Sequence, residues 1–118
     1  MPFAGLTTDI FVASIDDARE FYRLALGRDE DLMPGPDTLE WILHPSPQIA
    51  LRVVQDRSAA GGSRVGIGVD DIDRERERPS RALGEVPDVD VVPGVIALLE
   101  IGDQDGNSLV FWQDLLGS

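Results

Sequence analysis

Thr7-Thr8-Asp9-Ile10-Phe11-Val12-Ala13 alternates polar and apolar residues, then gives way to Ile15–Gly27, whose apolar residues recur at helical spacing. Arg64-Val65-Gly66-Ile67-Gly68-Val69 alternates in the same way and leads into a second helical stretch, Asp71–Gly84. Working outward, three short apolar runs follow each strand and helix. In the first half they are Asp29–Met33, Leu39–Leu43 and Gln48–Val54; in the second they are Val89–Val92, Val95–Gly102 and Ser108–Gln113. One β-α-β-β-β unit therefore occurs twice, and a repeat decides the architecture before any single element does. Two curved half-sheets can face each other across a cleft suited to a small molecule.

The repeat predicts a single domain over residues 1–118, with module one at about 5–56, a linker at about 57–63 and module two at about 64–114. The linker contains Ser58-Ala59-Ala60-Gly61-Gly62-Ser63. In the first helix, Asp17-Ala18-Arg19-Glu20 has the spacing of a capping box and Gly27 supplies the stop. In the second, Pro79 follows a run of alternating charge, which predicts a solvated helix kinked or broken near Arg78. Opposite charges at i,i+3 pair Asp73 with Arg76, Arg74 with Glu77 and Glu75 with Arg78.

Composition excludes several classes of function. A formal charge of -12 on 118 residues repels nucleic acid and anionic membrane surfaces, and it attracts cations. All 10 basic residues are Arg, so lysine Schiff-base chemistry and a P-loop lysine are excluded. Without cysteine there are no disulfides, thiolate nucleophiles or zinc–cysteine sites. No apolar run approaches the roughly 20 residues that span a bilayer. Met1-Pro2-Phe3-Ala4-Gly5 lacks the basic region of a signal peptide, which makes a cytoplasmic protein the expectation.

The local words carry a resemblance. Ile15-Asp16-Asp17-Ala18-Arg19-Glu20-Phe21-Tyr22 with Leu26-Gly27, then Val69-Asp70-Asp71, then Asp103-Gln104-Asp105-Gly106-Asn107, taken in that order, resemble the vicinal oxygen chelate superfamily. That superfamily contains glyoxalase I, bleomycin and fosfomycin resistance proteins and extradiol dioxygenases. The family turn usually carries Pro where this chain has Gln104. The resemblance implies an α+β fold in which two tandem βαβββ modules form an open curved eight-stranded sheet. It also implies a homodimer.

Members that are metalloenzymes hold a divalent ion with His, Glu or Gln from the first and last strand of each module. Counted from the quoted words, those positions fall on Thr7, about Ala50, Arg64 and Val110. None can hold a metal, and a slip of one residue reaches only Thr8, Ile49 or Leu51, Val65, and Leu109 or Phe111. His44, the single histidine, sits beside Pro45-Ser46-Pro47 and reads as a surface residue. A displaced site built from Asp9, Glu100 and His44 has no positive support. The reading therefore expects neither metal nor cofactor.

Strand parity predicts what faces the cleft. If Val65, Ile67 and Val69 pack under a helix, then Arg64, Gly66 and Gly68 face inward. The same reasoning selects Asp9 and Phe11, Arg52, Trp112 and Glu100. By the internal repeat it also selects Leu39 and Trp41. The candidate ligand-binding set is Asp9, Phe11, Trp41, Arg52, Arg64, Glu100 and Trp112, with Asp9–Arg64 and Glu100–Arg52 as candidate ion pairs. Aromatic walls, charged groups and a floor of Gly66, Gly68 and Ala50 suit a planar or cationic small molecule. The first reading is metal-free binding, as in antibiotic-resistance members of the family. The alternatives are an enzyme of that superfamily (a lyase, isomerase or dioxygenase) with a displaced metal, and a dimeric scaffold whose cleft is filled by its own side chains.

Overall fold

The computed structural model describes residues 3–83 and 86–117. Gly84, the expected end of the second helix, lies outside the described residues, as do Met1 and Pro2. Module one contains Gly5–Val12 (β1), Ile15–Leu26 (α1), Leu32–Gly35 (β2), Thr38–Pro45 (β3) and Gln48–Gln55 (β4). Module two contains Arg64–Gly68 (β5), Ile72–Leu83 (α2), Asp90–Val92 (β6), Ile96–Gly102 (β7) and Ser108–Asp114 (β8). Each module is a four-stranded sheet, ordered β1-β4-β3-β2 in one and β5-β8-β7-β6 in the other. The first strand of each module runs parallel to its last. A parallel pair cannot close through a tight turn, so the helix takes up part of the crossover.

The apolar parity of each strand packs under the helices. Ile10, Val12, Leu51, Val53, Leu39 and Trp41 from the first sheet share one core with Leu99, Ile101, Leu109 and Phe111 from the second. Burying such side chains contributes roughly 1.5–3 kcal/mol each. From α1, Ala18, Tyr22 and Ala25 enter this core. The cap of α1 is Ser14, whose Oγ accepts the Asp17 N–H at 3.4 Å, so the box expected from Asp17 to Glu20 is replaced by a cap three residues earlier. Gly27 ends the helix in the left-handed region at φ 79°, as its position predicts.

The kink expected near Arg78 is absent: α2 runs continuously through Pro79. Proline removes one backbone hydrogen bond, but here its ring is fully buried. Arg78 anchors the same turn, pairing with Glu75 at 2.8 Å and donating to the Ala25 carbonyl at 3.2 Å. That second bond places a cation at the negative end of α1. Arg76 donates to the carbonyls of Val86 and Pro87 and pairs with Asp88 at 3.1 Å.

Both modules cap their helix with the last strand. Gln55 Oε1 accepts the Ile15 N–H at 2.9 Å, and Gln113 Oε1 accepts the Ile72 N–H at 3.0 Å. The first turn of a helix has unsatisfied N–H groups, and each copy of the repeat satisfies one in the same way.

Between the modules lies a polar clasp. Asn107 is fully buried. Its Nδ2 donates to the Phe11 carbonyl and to Asp103 Oδ2, both at 2.9 Å, and its Oδ1 accepts from Ser63 N at 3.0 Å. The Tyr22 hydroxyl donates to Asp103 Oδ2 at 2.8 Å, and Asp105 Oδ2 accepts from Ala13 N at 3.2 Å. The turn at Asp103–Asn107 thus bonds the second module to β1 and α1 of the first.

Candidate functional site

Strand pairing sorts the candidate residues onto faces. On the face of the first sheet away from α1, Asp9 lies opposite Arg52 and Arg52 opposite Glu40. Phe11 lies opposite Val54 on that face. On the matching face of the second sheet, Gly68, Trp112 and Leu98 form one row, and Gly66, Val110 and Glu100 the next.

Trp41 does not join them. It is 0% exposed and lies under α1, its ring centroid 6.1 Å from that of Tyr22. Its indole N–H donates to the Arg28 carbonyl at 3.0 Å. The reversal has a local cause. Pairing of β3 with β4 shifts between Ile42 and His44, which leaves Leu43 as an extra residue. Without it, counting back from the turn would set Trp41 opposite Arg52; with it, Glu40 takes that place and Trp41 turns into the core with Leu39.

The ion pairs also differ from those expected. Arg52 Nε donates to Glu40 Oε1 at 2.6 Å, and Arg64 lies 3.4 Å from Glu100. The Glu40 hydrogen bond holds the Arg52 guanidinium above its ordinary value against a desolvation cost, helped by the charges of Glu40 and Asp9.

A cleft of about 580 Å³ opens between the sheets. One wall is Leu6, Thr8, Leu43, His44, Ile49 and Ala50; the other is Arg64, Val65, Gly66, Ile67, Gly68 and Trp112. Of the expected ligand-binding set, Arg64 and Trp112 line it. Asp9, Phe11, Arg52 and Glu100 do not. The Trp112 indole runs along β5. A Cβ added at Gly66 would sit 3.6 Å from the ring, whereas one at Gly68 would sit 2.7 Å from it.

Thr8 and Ile49 share the helix-side parity of the buried Ile10 and Leu51. The signal for a cleft there was element length. The 12 residues of α1 span about 18 Å, and the 8 residues of β1 span about 26 Å. The apolar row of the first sheet therefore outruns its helix, leaving Leu6 68% exposed beyond the buried Ile10 and Val12.

Several solved structures share this architecture. A glyoxalase/bleomycin resistance protein from Catenulispora acidiphila DSM 44928 superposes with a TM-score of 0.84 at 21% identity, covering 92% of this chain and 96% of that one. The fold is that of the glyoxalase/bleomycin resistance proteins. A bleomycin-binding protein from Streptomyces verticillus, solved with copper(II)-bleomycin, matches at a TM-score of 0.72 and 18% identity over 100% of this chain and 99% of that one. The antibiotic-binding protein TnmS3 from Streptomyces sp. CB03234 matches at 0.70 and 22%, over 92% and 93%. Lactoylglutathione lyase from Agrobacterium tumefaciens matches at 0.71 and 20%, over 92% and 91%. No family model matches the sequence, and no curated protein matches it.

The four positions at which the resemblance implied metal ligands, Thr7, Ala50, Arg64 and Val110, carry no carboxylate or imidazole. Thr7 pairs with Ala50, Arg64 is engaged by Glu100, and Val110 is a buried hydrocarbon. Among the described residues, no three His, Cys, Asp or Glu side chains form a group that could hold a metal ion. Asp9, His44 and Glu100 are accordingly not brought together. No helix among the described residues is long and apolar enough to cross a membrane.

Proposed function

We propose that the chain is a metal-free small-molecule-binding protein whose ligand is a flat, cationic compound, such as an antibiotic, held in the cleft against Trp112. The observation that carries this reading is a tryptophan 39% exposed in a cleft walled by Leu6, Leu43, Ile49, Val65 and Ile67. An aromatic ring offered to solvent between apolar walls stacks a planar group favourably. The net charge of -12 draws a cation towards the molecule, and Glu100 offsets the charge of Arg64 at the cleft. In this reading Arg64 and Trp112 contact the ligand. Asp9, Phe11, Arg52 and Glu100 occupy the adjoining faces of the two sheets, and Trp41 supports the scaffold. Association into a homodimer belongs to the same reading, supported by Leu32, Met33, Val91 and Val92 exposed on the outer strands β2 and β6. Light scattering in solution measures it.

The test is a thermal-shift screen of planar cationic antibiotics against 2-oxo and diol metabolites, each with EDTA and with added divalent ions. Ligand at about 100 times its Kd adds about 2.7 kcal/mol of stability. Stabilisation by a cationic antibiotic in EDTA supports the proposal. Stabilisation that needs a divalent ion favours the enzyme reading, and no response to any compound favours a filled scaffold.

A further inference from the structure

The two modules place their bulk differently at one row of the repeat. In the first module that row pairs Phe11 of β1 with Val54 of β4. In the second it pairs Gly68 of β5 with Trp112 of β8. A large residue on the first strand faces a smaller one on the last, and the second module inverts the arrangement. Volume is traded across the pair.

The inversion has a steric reading at Gly68. A side chain there would bring a Cβ to 2.7 Å from Trp112 Cζ2 and 2.9 Å from Cη2, inside any ordinary contact. The backbone imposes no such demand, because Gly68 is not among the glycines of positive φ. It is the seat of the ring, and not the conformation of the chain, that depends on glycine at position 68. Gly66 differs: a Cβ there would meet Trp112 Cδ1 and Nε1 at 3.6 Å, an ordinary contact. Among the described residues no hydrogen bond ties the Trp112 indole N–H.

We infer that Gly68 is a specificity-determining residue of the cleft, acting through Trp112: its missing side chain lets the indole lie back on β5 and so sets the width left for a flat ligand. The inference rests on the binding reading for its ligand, but its geometry stands separately. Adding a methyl group at position 68 pushes the ring forward into the cleft and narrows it. The same methyl at position 66 leaves the ring where it is.

The test compares G68A with G66A using proflavine, a flat tricyclic cation, in fluorescence titrations, and acrylamide quenching of tryptophan emission. Trp41 is fully buried, so quenching reports on Trp112. G68A should bind proflavine about tenfold more weakly and quench more readily, while G66A should quench like wild type because its methyl group leaves the ring in place. Thermal melts establish that both variants fold. On a W112A background, where no ring is left for the methyl group to meet, G68A should cost less thermal stability than it does in wild type. Wild-type quenching and affinity in G68A would overturn the inference, as would an equal loss of thermal stability from G68A with and without Trp112. If wild type itself fails to bind proflavine, the ligand class is wrong, and the quenching comparison of G68A with G66A still decides how the ring is seated.

Discussion

The side-chain amide of Asn107 donates to the main-chain carbonyl of Phe11 at 2.9 Å, across 96 residues of sequence. It joins the last turn of one module to the first strand of the other. Asn107 is fully buried and makes two further side-chain bonds, to Asp103 and Ser63. Removing them strands the Ser63 N–H and leaves the Phe11 carbonyl with only the Gly61 N–H, at 3.2 Å. Asn107→Ala should cost about 1–3 kcal/mol, the usual range for one buried group left unsatisfied. Urea denaturation measures it, and a loss below about 0.5 kcal/mol would mean that water replaces the amide without penalty.

The hydroxyl of Tyr22 makes stability depend on alkaline pH. Burial, the hydrogen bond to Asp103 and the charge of that carboxylate all raise its pKa above the ordinary 10.0. A raised folded value means the unfolded chain releases its proton first. The contribution is complete below about pH 10 and is lost as pH rises beyond it. Tyr22→Phe should be less stable than wild type at pH 7 by about 1.5–3 kcal/mol, the usual range for a hydrogen bond to a charged group. It should also lose stability less steeply above about pH 10. Parallel alkaline denaturation curves for the two proteins would contradict this.

Gln55 and Gln113 perform one task at two sites. Replacing either with Leu frees the first N–H of its helix, at a cost of about 1 kcal/mol. The sites sit in separate modules, so the double variant should sum the single effects to within about 0.5 kcal/mol. Chemical denaturation of all three checks it. A clear excess in the double variant would show that the helices form as one cooperative unit.

The two tryptophans should separate cleanly. Trp41→Ala empties a fully buried site and should cost about 3–5 kcal/mol. Trp112→Ala, at a ring 39% exposed, should cost far less and remove binding of a planar ligand. Denaturation and titration together give both values. Intact affinity in Trp112→Ala would place the ligand elsewhere.

Much of this was legible in the residues. Alternation in Thr7–Ala13 and Arg64–Val69, the stop at Gly27 and the turn at Asp103–Asn107 mark local preferences that the fold obeys. Two departures arise where tertiary packing outweighs a local rule: Pro79 sits inside a helix because its ring is buried, and Ser14 caps α1 ahead of the acidic pair. The candidate site was harder to read. The extra residue at Leu43 reverses every face upstream of it in β3, exchanging Trp41 for Glu40, and no residue type there announces a bulge. The cleft wall at Leu6, Thr8 and Ile49 was visible only as a mismatch between strand and helix length, since each residue taken singly reads as core.

Leu43 has a wider effect than the face it reverses. Turning Trp41 into the core brings the Glu40 carboxylate to the opposite face beside Arg52, so one extra residue exchanges an aromatic surface for an ion pair. At the row of Trp112 the first module carries Val54. A flat ligand bound as proposed would therefore find one stacking ring in the duplicated fold, and not two.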